Sequence, residues 1–328
     1  MRLVTYEKSG RQALGGLVGD TRILDLAAAQ QRRVGSANPA FSTMLSLIEA
    51  GPAAWEQARQ LLAAAPEEDI VERSSVQLRA PLPRPVRLRD CSLFLEHMEE
   101  ARRVLARRTA AAEPDPEAAF NELMKNPRYQ LPPIFKQRVV YYNADAGSVS
   151  GTDQDIVWPA ESKWIDYELE WACVVGKTAR DVAPADARSH IFGFTIFNDW
   201  SARDVQLAVM ESNLGPGEGK DFDGGYGLGP CIATPDEFAD PYDLTMIARV
   251  NGEEWSRGTT GSMHHRFEDA VAQFSRGRQI RAGEVIGSGT VLGGCGFELQ
   301  RQLAFGDTVE LEIEGIGVLR NRVVAAPV

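Results

Sequence analysis

The stretch Ile165-Asp166-Tyr167-Glu168-Leu169-Glu170-Trp171-Ala172-Cys173-Val174-Val175-Gly176 decides the fold. Read as a strand, it sends Asp166, Glu168 and Glu170 to one face and Tyr167, Leu169 and Trp171 to the other. The apolar face has a core to enter, and the run Cys173-Val174-Val175 predicts burial of the far end. Carboxylates two residues apart on one face repel each other. Two readings of the acidic face stand: a wet edge strand, or oxygen ligands for a divalent metal.

The chain around this strand has 328 residues, 44% hydrophobic and 25% charged, which are values of a globular protein with room for one large domain and a small one. Its net charge of -11, from 35 basic and 46 acidic side chains, argues against a nucleic-acid or anionic-membrane partner. Met1 to Glu7 lacks an apolar signal region and no run of 18 apolar residues occurs, so the expectation is a cytoplasmic protein without a membrane span. Cys91, Cys173, Cys231 and Cys295 are far apart and form no C-x-x-C pair, which predicts reduced core thiols and no zinc site.

Residues 1–80 read as a small β-rich unit, with strands at Arg2–Tyr6 and Leu17–Leu26 and helical spacing over Phe41–Ala65, broken at Gly51-Pro52. Three prolines in Pro81-Leu82-Pro83-Arg84-Pro85 predict a stiff linker and a boundary there. Beyond it, residues 86–328 carry a strand at Val86–Phe94, a helix at Leu95–Arg108 and a second helix at Glu117–Met124. The segment of about 95–124 has the makings of a helical lid. After Trp164 strand-like runs dominate, at 165–175, 191–197, 230–234, 244–250, 284–288 and 308–314, with no regular βαβ alternation. The predicted class is α+β and mostly β, with helices outside the sheet.

Four further stretches carry candidate chemistry. In Phe194–Gln206 an apolar strand ends at Asn198-Asp199, where a carboxylate is rigidly held for a metal; the alternative is that Asp199 or Ser201 caps a helix starting at Ala202. His97 and Glu100 are i and i+3 on a helix, either a general base with its orienting carboxylate or a surface pair. Gly219-Lys220-Asp221-Phe222 opens a glycine-rich loop in which Lys220 offers a positive charge. Ile286–Gly294 is a strand running into a glycine turn, where Thr290 either binds a substrate carboxylate or only shapes the turn.

Together, Asp166–Glu170, Asn198-Asp199-Trp200-Ser201-Ala202-Arg203-Asp204-Val205-Gln206, Gly219–Phe222 and Gly287-Ser288-Gly289-Thr290 resemble the fumarylacetoacetate hydrolase family over about residues 86–328. The resemblance implies a mixed β-roll, commonly in a homodimer, and an enzyme acting on a small keto acid. The implied reaction is cleavage of a C–C bond in a β-diketo or acylpyruvate-like acid; decarboxylation, hydration or isomerisation of a related 2-keto acid is the alternative. It implies a Mg²⁺ site, with Mn²⁺ or Ca²⁺ as other occupants, held by Glu168, Glu170 and Asp199. Asp90, seven residues before His97, matches a fourth ligand of fumarylacetoacetases, and Glu100 matches the partner of the histidine in shorter members. The resemblance further implies His97 as the base acting on water, Lys220 at the reacting oxygens, and Arg203, Gln206 and Thr290 as substrate anchors. Arg203 and Asp204 forming a structural ion pair is the other reading of that dipeptide. Met210 stands where fumarylacetoacetases place a substrate-binding tyrosine, and Val291 where the short members have proline.

Overall fold

The computed structural model describes residues 1–326. Its centre is the strand Leu169–Val175, in which every residue is buried. The strand lies between two antiparallel neighbours, Ile191–Asp199 and Glu284–Gly287. Alternation along it feeds two cores. Leu169, Trp171, Cys173 and Val175 enter one cluster with Phe194, Phe267 and Leu311, while Ala172 and Val174 enter a second with Leu47, Ile48 and Phe192. A strand covered on both faces has no room for an uncompensated charge. The wet-edge reading of the acidic face is therefore wrong: Glu170 is fully buried, with Asp166 and Glu168 nearly so.

The same long sheet runs from Ile70–Glu72 at one edge, through Arg22–Asp25, Arg11–Val18, Arg2–Lys8 and Tyr226–Ala233, to the central strands. It then passes Glu284–Gly287 and Arg87–Cys91 and ends at Tyr141–Ala144. The first strand pairs Leu3 with Ile232, so the N-terminal segment extends the sheet of the remainder. A second sheet, ordered Glu253–Thr259, Thr245–Val250, Thr308–Ile313, Gly317–Ala325 and Asp155–Trp158, contributes Met246, Leu311, Ile313 and Val323 to the first core. The helix Phe267–Ser275 adds Phe267, Val271 and Phe274 to it.

Local sequence explains the helices. Met44–Ala50 and Pro52–Ala64 are separated by Gly51, which takes a φ of 79°, as the Gly51-Pro52 break predicts. The extended reading of Leu17–Leu26 is corrected at its end. The strand stops at Asp25, whose carboxylate accepts from the Ala28 amide at 2.9 Å and caps the helix Leu26–Val34. Leu82 in the proline-rich segment is buried, and Thr5 donates to the Pro81 carbonyl, so this stretch is docked on the sheet. The helices Leu95–Ala110 and Pro116–Leu123 follow where helical propensity places them. All four cysteines are buried and free of disulfides. Among the described residues, no helix is long and apolar enough to cross a membrane.

Candidate active site

Three carboxylates converge from three strands of the long sheet. Asp199 ends the strand Ile191–Asp199, Glu170 is the second residue of Leu169–Val175, and Asp90 lies near the end of Arg87–Cys91. One oxygen from each lies within 4.8 Å of the other two, and all three residues are buried. The strand between the last two carries Gly287 opposite Asp90, where a Cβ would meet Asp90 Oδ1 at 2.5 Å. A side chain there would push Asp90 out of the cluster.

Part of this negative charge has partners. Tyr142 donates to Asp199 Oδ2 at 2.6 Å, Thr290 donates to Glu170 Oε1 at 3.1 Å, and the Gly289 amide donates to Asp90 Oδ1 at 3.2 Å. Glu170 Oε2 and Asp199 Oδ1 are buried with no hydrogen-bond partner. Burial pushes the Asp90 carboxyl up to about 6, and burial with the neighbouring carboxylates pushes Glu170 and Asp199 well above the usual range. Two orphaned oxygens in an all-oxygen cluster fit a hard divalent cation such as Mg²⁺ or Mn²⁺. Asp90, Glu170 and Asp199 would hold it.

Glu168, expected from the sequence as a further metal ligand, sits beside the trio instead, with one oxygen on Lys220 and the other on Arg203. Lys220 Nζ is 2.7 Å from Oε2, and Arg203 Nη1 is 2.8 Å from Oε1. Burial opposes ionisation of Glu168, but Lys220, Arg203 and His97 outweigh it and hold the carboxyl well below its usual range. The Lys220 ammonium also touches Asp199 Oδ2 at 2.5 Å. Burial alone would lower its pKa, yet Asp199 and Glu168 raise it, so it remains an ammonium. The loop that brings Lys220 here packs Gly219 against Gln206, where a Cβ would meet Gln206 Cα at 2.5 Å.

Arg203 is the hub of the next layer. Its Nε reaches Asp166 Oδ2 at 2.7 Å and its Nη1 reaches Gln206 Oε1 at 3.0 Å, while Nη2 is buried without a partner. Asp166 in turn accepts from the Gly296 and Phe297 amides at 2.7 and 2.9 Å, anchoring the short helix Gly296–Leu299. That helix carries Glu298, whose Oε2 lies 3.1 Å from Nδ1 of His97. The contact is close without the alignment of a hydrogen bond.

The pattern describing the C-terminal part of fumarylacetoacetate (FAA) hydrolase matches residues 109–324. The chain belongs to the fumarylacetoacetate hydrolase family. Among relatives of this family, the human mitochondrial oxaloacetate tautomerase FAHD2A is 33% identical over 284 residues, 86% of this chain and 80% of that protein. The oxaloacetate tautomerase YisK of Bacillus subtilis (strain 168) is 27% identical over 332 residues, 98% of this chain and 100% of that protein. A solved fumarylacetoacetate hydrolase from psychrophilic Exiguobacterium antarcticum superposes with a TM-score of 0.73 at 26% identity, covering 99% of this chain and 100% of that one. Family membership makes the chain an enzyme of the fumarylacetoacetate hydrolase type, acting on a small molecule.

Within this family site, several sequence expectations change. The carboxylate against His97 is Glu298, and among the described residues no other acid lies within salt-bridge distance of that ring. Glu100 is half-buried one turn further along the helix. Arg203 does not pair with Asp204, because Asp204 is taken by Ser162 Oγ at 2.6 Å and the Lys163 amide at 2.8 Å. Ser201 does not cap the following helix: it lies in a two-residue strand opposite Asp166 and donates to the Asp199 carbonyl. Thr290 turns its hydroxyl to Glu170, so in this state it orients a carboxylate of the trio. Glu298 and Tyr142 are the contacts that sequence reasoning missed. Glu298 lies on a four-residue helix, Gly296–Leu299, too short to show a periodicity in the sequence.

Proposed function

We propose that this enzyme interconverts the keto and enol forms of a small 2-oxo diacid of the oxaloacetate type, with a divalent cation on Asp90, Glu170 and Asp199. The observation that carries this reading is the meeting of that carboxylate trio, the buried Lys220 ammonium and the His97–Glu298 pair in one buried site. The names of the relatives support the choice of reaction.

The chemistry is a proton transfer between C3 and the oxygen on C2, with no atom gained or lost. When bound, the cation supplies positive charge to the 2-oxo oxygen and so favours the enolate. Lys220 places a second fixed positive charge there without reorganisation. Arg203 Nη2, buried and unpartnered, offers a donor to a substrate carboxylate, and Gln206 fixes the guanidinium plane. His97, held through Nδ1 by Glu298, uses Nε2 to take the proton from C3 and return it to oxygen; gains of roughly 10²–10⁴ are usual for such a group. The helical segment 95–123 that carries His97 acts as the lid over the site. Assembly as a homodimer is part of the same reading, and sedimentation velocity tests it.

The second reading is hydrolysis of a C–C bond in an acylpyruvate. One observation favours it: a histidine backed by a buried glutamate is suited to activating water. Offering the enzyme, with Mg²⁺ or Mn²⁺, both enol oxaloacetate and an acylpyruvate separates the two. Loss of enol absorbance without new carbon fragments supports the tautomerase. Release of pyruvate and an acid from the acylpyruvate, with no effect on the enol, refutes it in favour of the hydrolase.

A further inference from the structure

A second charged concavity lies away from the carboxylate trio. It has a volume of about 940 Å³ and opens beside the edge strand Tyr141–Ala144. Five arginines line it: Arg87, Arg89, Arg180, Arg278 and Arg281. Among the described residues no acidic side chain is part of the lining. This is a dense collection of like charge in a chain whose net charge is -11. Guanidiniums facing one concavity repel each other unless an anion joins them.

The partners of these arginines show how much charge is left over. Arg89 Nη1 and Arg87 Nη1 share the fully buried Glu284, at 2.6 and 3.4 Å. Arg180, Arg278 and Arg281 have no carboxylate within salt-bridge distance among the described residues. Backbone contacts hold two of them in place. Arg278 Nε donates to the Phe274 carbonyl at 3.0 Å, and Arg180 Nη2 donates to the Gly277 carbonyl at 2.5 Å. Arg89 and Arg278 also lie over the Phe274 ring, at 4.8 and 6.0 Å from its centroid. An independent observation comes from Arg89, which is only 2% exposed and leaves Nε without any hydrogen-bond partner. A buried guanidinium donor without a partner is costly, and the residue that carries it is part of the lining of this cavity. Asn143 and Gln279 add neutral amides to the same wall.

We propose that this cavity binds a small polyvalent oxyanion, a polycarboxylate or a phosphate compound carrying at least two anionic groups. Planar guanidiniums match carboxylate and phosphate oxygens equally well, so the shared chemistry is the oxyanion. The volume exceeds what a single inorganic anion fills and suits a metabolite-sized ligand. This site stands independently of the reaction at the carboxylate trio. Two strands join it to that site: Arg87–Cys91, in which Arg89 lines the cavity and Asp90 belongs to the trio, and Tyr141–Ala144, in which Tyr141 lines the cavity and Tyr142 donates to Asp199.

Calorimetric titration of the full-length, metal-free protein at low ionic strength tests the proposal, with pyrophosphate in one arm and citrate in the other. Saturable binding of at least one is expected, and the tighter arm identifies the source as phosphate or polycarboxylate. The double variant Arg278→Ala/Arg281→Ala removes two exposed guanidiniums and should weaken binding at least about tenfold. Arg281→Ala alone, the milder change, should weaken it in the same direction. A charge-matched control, Arg257→Ala/Arg322→Ala, removes two arginines already paired with Glu254 and Asp155 elsewhere and should leave binding unchanged. No saturable binding in either arm overturns the site, as would happen if an acidic protein surface were its true occupant. Equal weakening in the control pair also overturns it, since binding would then follow net charge.

Discussion

Nδ1 of His97 stands 3.1 Å from Oε2 of Glu298, joining the first turn of the helix Leu95–Ala110 to the short helix Gly296–Leu299. On the proposed reading, this pair sets which ring nitrogen faces substrate. Replacing Glu298 by Gln keeps the shape and removes the charge that holds the tautomer. Turnover should fall about 10²-fold with little change in KM. Glu100→Gln, by contrast, should leave kcat unaltered. Equal losses in the two variants would return the orienting role to Glu100.

The orphaned oxygens of Glu170 and Asp199 make a second prediction. Mn²⁺ or Mg²⁺ should raise the unfolding temperature of the wild-type chain, since binding to the native state at 100-fold over Kd adds about 2.7 kcal/mol. Glu170→Gln and Asp199→Asn should abolish that response while remaining folded without metal. A full metal response in either variant would move the cation elsewhere.

Glu170 and Asp199 were legible in the sequence, and Glu298 was not, for a physical reason. An acid inside an apolar strand, or at its last residue, is an anomaly against period-two burial. Glu298 lies on a single-turn helix too short for a periodic pattern, and its place beside His97 depends on the Asp166 carboxylate gathering the Gly296 and Phe297 amides. The alternation of residues 166–170 was read correctly as acid against apolar, but it concealed three separate destinations. Asp166 goes to Arg203 and a helix terminus, Glu168 to Lys220 and Arg203, and Glu170 to the trio. The pairing breaks between them: Asn198 Oδ1 takes the Glu168 amide, and Leu169 bonds to Gly294. Pairing of Arg2–Lys8 with Tyr226–Ala233 was equally hidden, because each strand shows its own pattern and none shows its partner.

Arg203 bridges two buried carboxylates through different nitrogens. Lysine has a single charged nitrogen and cannot reproduce that geometry. Arg203→Lys should therefore cost about 3 kcal/mol in urea unfolding, the scale for breaking a buried pair. A loss of activity with unchanged stability would make Arg203 a substrate anchor alone.

A pH-dependent contribution comes from the N-terminal segment. Burial raises the Asp236 carboxyl pKa, but hydrogen bonds from Arg59 and Thr234 and the Met1 ammonium outweigh burial and hold it below the usual range. A depressed native pKa stabilises the fold above the unfolded value of about 3.9 and loses that contribution as pH falls below it. The exposed setting keeps the effect near 0.5 kcal/mol. Asp236→Asn should show that loss at neutral pH and converge with wild type in acid. A gap that widens on acidification would contradict the ion-pair origin.

The most direct test of the central claim is solvent deuterium entry at C3 of oxaloacetate, followed by NMR in D₂O with Mg²⁺ or Mn²⁺. The account predicts exchange above the metal-only background, with the carbon skeleton conserved, and its disappearance in His97→Ala. Exchange no faster than that background, or enzyme-dependent breakdown of the carbon skeleton, would contradict it.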